Sequence, residues 1–362
     1  MSIAGADCLV VIPCLNEEAY IGGLLDQLLT DQASAGSLIV VVDGGSSDAT
    51  RQIVSDHAAR SSRVVLLDNP KRIQSAGVNL AVVRYGHGRR WLVRIDAHAL
   101  YPTDYVSRLL TVAVAAGAAS VVTPMITQAV EGACFQDAAA TAQNSPLGTG
   151  GSAHRHAGVS RWVDHGHHAL FDLHAFAAVG GYDESFSHNE DAELDLRLAK
   201  AGGRIWLAGD APIVYHPRKL PSDLFRQYYK YGEGRARTRA RHHAPLKLRQ
   251  ILPLAVAPAC FVAPLGLAPS MWTALALLPA FVWAACSVAF GLMLGLRGRM
   301  TIVTIAHRPS MIAFADWVVA MEDGRVVETG GYDELARRPE SRLARLVVGE
   351  QGEAAERPAV AG

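Results

Sequence analysis

The stretch Trp91-Leu-Val-Arg-Ile-Asp96-Ala-His98-Ala decides how this chain reads. An apolar run closes on an acid, a one-residue spacer and an imidazole. That is the pattern of a buried strand delivering two metal-capable side chains to its C-terminal edge. Open α/β sheets bind ligands at that edge. Taken alone, an Asp that closes a strand is more often a turn former or a helix cap, so the case for chemistry rests on the stretches around it.

Working outward, residues 8–13 read as a first strand that Pro13 ends, with Asn16 expected to cap a helix starting near Glu17. Residues 38–42 repeat the pattern and close on Asp43 and a Gly-Gly turn, with Ser46 or Ser47 expected to cap a helix from Asp48. Residues 64–67 read as a third strand, 73–84 and 102–117 as helices, and 120–123, 204–207 and 212–216 as short strands. Strands alternating with helices imply βαβ units and an α/β domain with a mostly parallel sheet. A helix over 190–200 carries Leu194 and Leu198 on one face, and Glu190 and Asp191 in its first turn. Acids there are favoured by the helix dipole whether or not they react.

The chain has 362 residues, 50% of them hydrophobic, and its 34 Lys and Arg balance its 34 Asp and Glu. A balanced charge argues against a nucleic-acid binder. The charge is unevenly spread, however: residues 216–250 hold ten Lys or Arg against Asp223 and Glu233, while 251–296 contain none of the four charged types. A basic segment beside an uncharged apolar one points to a membrane. The apolar segment is long enough for two spans of about 20 residues each. Arg-rich flanks on both sides predict a hairpin with both ends in the cytosol, a re-entrant first segment being the alternative. The five cysteines include no C-x-x-C pair, which fits reduced thiols. The N-terminus lacks a signal peptide's positive start and long apolar core, so the first domain is expected in the cytosol.

Three stretches accompany Asp96: Val10-Val-Ile-Pro13-Cys-Leu-Asn-Glu17-Glu18, Val41-Val-Asp43-Gly-Gly-Ser-Ser-Asp48 and His188-Asn-Glu190-Asp191-Ala-Glu-Leu-Asp195-Leu-Arg197. In that order the four resemble the family 2 glycosyltransferases, inverting enzymes of the GT-A fold, and within them the ExoA type that builds exopolysaccharide. The resemblance implies nucleotide-sugar binding by Pro13, Asn16, Glu17, Asp43 and Asp96, with Lys71 and Arg72 as candidates for the pyrophosphate or base. For those two, a solvated basic turn is the other reading. Asp43 takes the place of the acid that contacts the nucleoside, but the family's second acid is Gly44 here. Asp96 and His98 stand where the family carries Asp-x-Asp, which implies a divalent cation, and the imidazole suits Mn²⁺ better than Mg²⁺. Asp191 matches the general base, and the resemblance implies sugar contacts by Asp164, His165, Glu190 and Gln227.

The His-rich run 144–168 reads as a lid region contacting substrate, with no spacing that matches a structural zinc site. Asp223-Leu-Phe-Arg-Gln227-Tyr-Tyr-Lys230-Tyr231 reads as an interfacial helix. Residues 301–335, including Thr301-Ile-Val-Thr-Ile-Ala-His307 and Met321-Glu-Asp-Gly324, resemble the end of an ABC-transporter ATPase. The chain has no G-x-x-x-x-G-K-[ST] loop, so His307 has no ATP to sense.

The expected organisation is a GT-A domain over 1–218, a basic interfacial segment over 219–250, a transmembrane hairpin over 251–297 and an ABC-like tail over 298–362. The expected protein lies in the cytoplasmic membrane with its catalytic domain facing the cytosol. It moves a hexose, by resemblance from UDP-glucose, to a polyprenyl-linked saccharide, with membrane lipids and other exopolysaccharide-assembly proteins as further partners. A processive polysaccharide synthase, a catalytically impaired nucleotide-sugar binder and a transporter-associated module are the alternatives.

Overall fold

The computed structural model describes residues 7–31, 34–130, 133–149, 158–243, 317–322, 325–338 and 340–345, with scattered positions between 277 and 293. The expected hairpin over 251–297 lies almost wholly outside the described residues, as do His154, His156 and His307. Among the described residues, no helix is long and apolar enough to cross a membrane.

The first half alternates as expected: β1 (Cys8–Cys14), α1 (Ile21–Thr30), β2 (Leu38–Asp43), α2 (Thr50–Arg60), β3 (Val64–Asp68), α3 (Gln74–Tyr85), β4 (Trp91–Arg94), α4 (Tyr105–Ala116) and β5 (Ser120–Thr123). Next come β6 (Met125–Thr127), α5 (Cys134–Asn144), α6 (Pro146–Thr149), β7 (Arg161–Val163), β8 (His167–Asp172) and α7 (Leu173–Ala178). The unit closes with α8 (Glu190–Lys200), β9 (Ile205–Leu207), β10 (Ile213–Tyr215) and α9 (Pro221–His242). Eight strands form one sheet in the order β3-β2-β1-β4-β8-β5-β9-β7, and β10 pairs with β6 in a second, two-stranded sheet. In the large sheet β8 runs antiparallel to both β4 and β5. Sequence pattern alone missed β8, because its His167 and His168 read as cleft chemistry.

Both faces of the central strands are apolar, as a covered parallel sheet requires. Alternate residues feed two cores. Cys8, Val10 and Ile12 of β1 pack with Trp91 and Val93 of β4 beneath α1 and α4. Leu9 and Val11 pack with Leu92, Phe171 of β8, and Leu194 and Leu198 of α8 on the other face. Arg94 and Asp96 share the parity of Leu92, so the strand aims a cation and an acid at the layer that holds α8.

Two helix starts differ from expectation, for one reason. The N–H groups of Asn16, Glu17 and Glu18 donate to Ser46 Oγ, Thr50 Oγ1 and Asp48 Oδ2 at 2.8, 2.8 and 3.2 Å. Those donors are satisfied across the sheet edge, so α1 begins only at Ile21. Asn16 is no cap: it sits at φ +58°, and its Oδ1 accepts from Ser47 N at 2.9 Å. Ser46 is likewise occupied by Asp43 and Asn16, so α2 starts at Thr50, whose N–H donates to Asp48 Oδ1 at 3.0 Å.

Helix α9 does not stand apart from the α/β unit. His242 Nε2 lies 2.8 Å from Glu193 Oε1 of α8, Arg241 pairs with Asp183, and Asn189 Nδ2 donates to Thr238 Oγ1 at 3.1 Å. At Gly234 a Cβ would lie 2.4 Å from the His188 carbonyl oxygen and 2.7 Å from Asn189 Cβ. Alanine favours a helix interior by about 1 kcal/mol, but here it has no room. Gly234→Ala is expected to destabilise the unit by roughly 1–3 kcal/mol, seen as a lowered Tm, because the overpacked contact leads directly into α8. The opposite half of α9 exposes Phe225, Tyr228 and Tyr229, with Leu220 just before its start.

Residues 278–362 form a separate unit. In it β11 (Val318–Glu322) pairs antiparallel with β12 (Arg325–Gly330), followed by α10 (Tyr332–Ala336). Val318, Leu335 and Leu343 form its small core.

Candidate active site

The C-terminal edge of β1, β2 and β4 opens into a cleft of about 500 Å³. Its lining includes Pro13, Glu17, Arg72, Asp96 and His98 from the first half of the chain, and His165, His167, Glu190, Asp191 and Gln227 from the second. Nine of the sequence-predicted residues therefore converge, joined by His167, while Asn16, Asp43, Lys71 and Asp164 are not part of the lining.

Asp43 ends β2 fully buried, below the cleft floor. Its carboxylate accepts from the N–H groups of Gly45 and Ser46 and from Ser46 Oγ, and Arg51 Nη1 lies 2.6 Å away. Burial by itself raises this carboxyl, but the Ser46 and Arg51 hydrogen bonds outweigh it and hold Asp43 below its ordinary value. The turn that follows needs glycine: Gly45 has φ +90°, and the Arg72 guanidinium lies over it. Lys71 is exposed and pairs with Glu184, whereas Arg72, two residues before α3, reaches the cleft.

Asp96 directly continues β4. Its Oδ2 is 3.5 Å from His167 Nε2, and its N–H donates to Tyr101 Oη at 2.8 Å. His98 Nδ1 lies 3.0 Å from Glu17 Oε1, a hydrogen bond that raises the imidazole above its usual value, aided by the Asp96 charge. Among the described residues, no group of three or more His, Cys, Asp and Glu is placed to hold a metal ion by itself. Asp96 and His98 offer an oxygen and a nitrogen at the ligand edge of the sheet. A hard divalent cation that completes its shell with phosphate oxygens and water fits such a pair.

Across the cleft, Asn189 turns through φ +65° into α8. Asp191 Oδ1 accepts from Arg94 Nη1 at 2.7 Å and from Tyr182 Oη at 2.9 Å. Arg94 Nε is also 3.6 Å from Asp96 Oδ1, and its side chain is only 3% exposed. Poor solvation, and then the Asp191 charge, push Glu190 up to about 7 although its surface is only half-covered. The rest of α8 is braced from behind: Arg197 forks onto Glu193 at 2.6 and 2.7 Å and donates to the Val179 and Gly181 carbonyls. His165 Nδ1 is 2.6 Å from Asp195 Oδ2, a carboxylate buried one turn beyond Asp191. Gln227 Nε2 donates to Tyr215 Oη and Tyr231 Oη at 3.3 and 3.0 Å. Asp164 is exposed.

Sequence reasoning missed Arg94, Tyr182 and Asp195. Arg94 stands inside the decisive stretch, and a charged residue within an apolar strand was the signal: it must meet a counter-charge when the strand is buried. Asp195 stands in the quoted stretch 188–197 and Tyr182 in the Gly-Gly turn that precedes it, but neither position was given a role.

Residues 9–171 match the model of glycosyl transferase family 2, and residues 91–296 that of glycosyl transferase family group 2. Succinoglycan biosynthesis protein ExoA of Rhizobium meliloti (strain 1021) is 49% identical over 315 residues, covering 87% of this chain and 94% of that protein. The chain belongs to glycosyltransferase family 2. This glycosyltransferase is also similar in fold to the mannosyltransferase PcManGT of Pyrobaculum calidifontis, solved with GDP-Man and Mn²⁺. The TM-score is 0.51 at 18% identity, covering 81% of this chain and 79% of that one. That likeness shows a GT-A α/β fold with a mostly parallel sheet. A short further stretch is 46% identical over 52 residues to ABC transporter B family member 19 of Arabidopsis thaliana, covering 14% of this chain and 4% of that protein.

Proposed function

We propose that this glycosyltransferase moves a hexose, glucose from UDP-glucose, onto a polyprenyl-linked saccharide during exopolysaccharide assembly, with inversion at the anomeric carbon. The observation that carries the reading is the pairing across one cleft of the Asp96–His98 edge with Asp191, both joined to the buried Arg94. ExoA, named for succinoglycan biosynthesis, supports the exopolysaccharide setting.

In this reading Asp191 takes the proton of the acceptor hydroxyl as its oxygen attacks the anomeric carbon. The bond to the nucleoside diphosphate breaks on the opposite face, and the diphosphate leaves with the bonding electron pair. Asp96 and His98 would hold a divalent cation, Mn²⁺ or Mg²⁺, which supplies charge neutralisation on the diphosphate. Arg72 and Arg218, both in the cleft lining, add positive charge for the same anion.

The membrane setting is supported by the exposed Phe225, Tyr228 and Tyr229 of α9, beside the uncharged stretch 251–296, with the catalytic unit on the cytosolic side. The test is UDP release from UDP-glucose by membranes containing the protein, with Mn²⁺ and a lipid-linked saccharide extract. Release that depends on the extract and yields a glucosylated lipid is expected; release unaffected by the extract would remove the lipid acceptor from the reading.

A further inference from the structure

We propose that Arg94 is a positioning residue for sugar transfer: from the floor of the cleft it fixes the carboxylate of Asp191 relative to Asp96, setting the spacing between acceptor and donor. The inference rests on the reading of Asp191 as the base.

The argument begins with where the strand places the residue. Arg94 is the last residue of β4, which is flanked by β1 and β8 near the centre of the sheet. Its parity sends the side chain into the layer of Leu92, Phe171 and Leu194, where it is 3% exposed. A guanidinium so placed loses most of its hydration and needs acceptors for its donors in return. Here Nη1 is met by two acceptors, and Nε has a third group within ion-pair distance. Nη1 donates to Asp191 Oδ1 at 2.7 Å and to Tyr182 Oη at 3.1 Å, and Nε lies 3.6 Å from Asp96 Oδ1. Tyr182 completes the arrangement by donating to the same Asp191 Oδ1 at 2.9 Å.

One carboxylate oxygen of Asp191 is thus held from two directions by groups with little freedom to move. Tyr182 is 2% exposed and packs edge-on against Phe171 and Phe176. The planar fork of Arg94 spans both carboxylates at once, which a lysine ammonium cannot do with the same geometry. Asp96 lies two residues past the end of β4, where the Ile95 N–H still donates to the Val11 carbonyl at 3.0 Å, so its distance from Arg94 is set by the backbone. The guanidinium therefore works as a strut between the two sides of the cleft. Misplacement of a reacting group by about 1 Å can cost on the order of 100-fold in rate, and this is the loss the strut prevents.

The experiment uses the full chain in membranes or detergent, with UDP-glucose, Mn²⁺ and a lipid-linked saccharide extract as substrates. UDP is the calorimetric probe of nucleotide affinity. Arg94→Met is expected to lower kcat roughly 100-fold while UDP affinity stays within about threefold, and Arg94→Lys to regain roughly tenfold of the loss. Residues that act as one unit are non-additive, so Arg94→Met should cost little more when added to Asp191→Asn. A kcat for Arg94→Met within threefold of wild type overturns the proposal. So does an equal loss of UDP affinity and rate, or full additivity with Asp191→Asn.

Should Arg94→Met not fold, Tyr182→Phe carries the test, since it deletes one hydroxyl from the same carboxylate. A lowered kcat at unchanged UDP affinity supports the strut, and an unchanged kcat overturns it. If Asp191→Asn itself retains transfer, the base assignment fails, and the Arg94 single variants still report on the strut.

Discussion

Asp191→Asn is expected to lower sugar transfer by about 10²–10⁴-fold while leaving nucleotide binding intact, because the amide keeps the shape of the side chain and loses the ability to take a proton. Asp191 heads α8, where Arg94 and Tyr182 hold one of its oxygens at 2.7 and 2.9 Å. A carboxylate held by an arginine and a phenol keeps its orientation, which suits a base that acts once per turnover. The asparagine can still accept at the same oxygen, so the fold is retained, but a buried cation then loses its charged partner. A modest drop in Tm therefore accompanies the loss of rate. The decisive comparison is acceptor-dependent UDP release against UDP affinity by calorimetry. Retained release with the variant would transfer the base role to Glu190, the next carboxyl in the turn and the one that burial and Asp191 push up to about 7.

Asp96→Asn is expected to act on the opposite side of the cleft, removing the cation dependence of UDP binding and lowering transfer by roughly 100-fold or more. Asp96 is the carboxylate that His167 Nε2 approaches at 3.5 Å, with His98 two residues on and held by Glu17 at 3.0 Å. Wild-type protein should bind UDP more tightly with Mn²⁺ than after chelation, and the variant should bind it equally weakly in both. A variant whose UDP affinity still rises with Mn²⁺ would move the cation away from Asp96. The two variants separate the sides of the cleft: Asp96→Asn acts on donor affinity, Asp191→Asn on turnover.

The Asp96 side of the cleft was readable because its signals are local. Asp96 and His98 follow an apolar run, and a strand that ends at the ligand edge of a sheet delivers whatever comes next. Asp43 was found by the same logic, yet its reading changes with the structure. Ser46, Gly45 and Arg51 surround it, so it organises the turn that Arg72 overlies and does not open onto the cleft. Asn16 misled as a helix cap because the partners of its neighbours, Ser46, Asp48 and Thr50, lie about 30 residues away in sequence. Helix α9 was legible as amphipathic and basic, but its packing was not. The bare Gly234 that lets it touch His188 looks like any other helix-weakening glycine until the partner is known.

By itself the sequence determined the strand and helix alternation, the acids and imidazole at the sheet edge, the Glu-Asp pair at the head of α8, and the family. Each of these depends on periodicity or short spacing, which the chain carries in its own order. Tertiary structure alone decided that β8 runs antiparallel through the middle of the sheet, that His165 meets Asp195, and that Arg94 joins Asp96 to Asp191. Those contacts link residues up to about 100 positions apart. They are fixed by how layers pack over a common sheet, and a buried charge finds its partner only when that packing brings the two together.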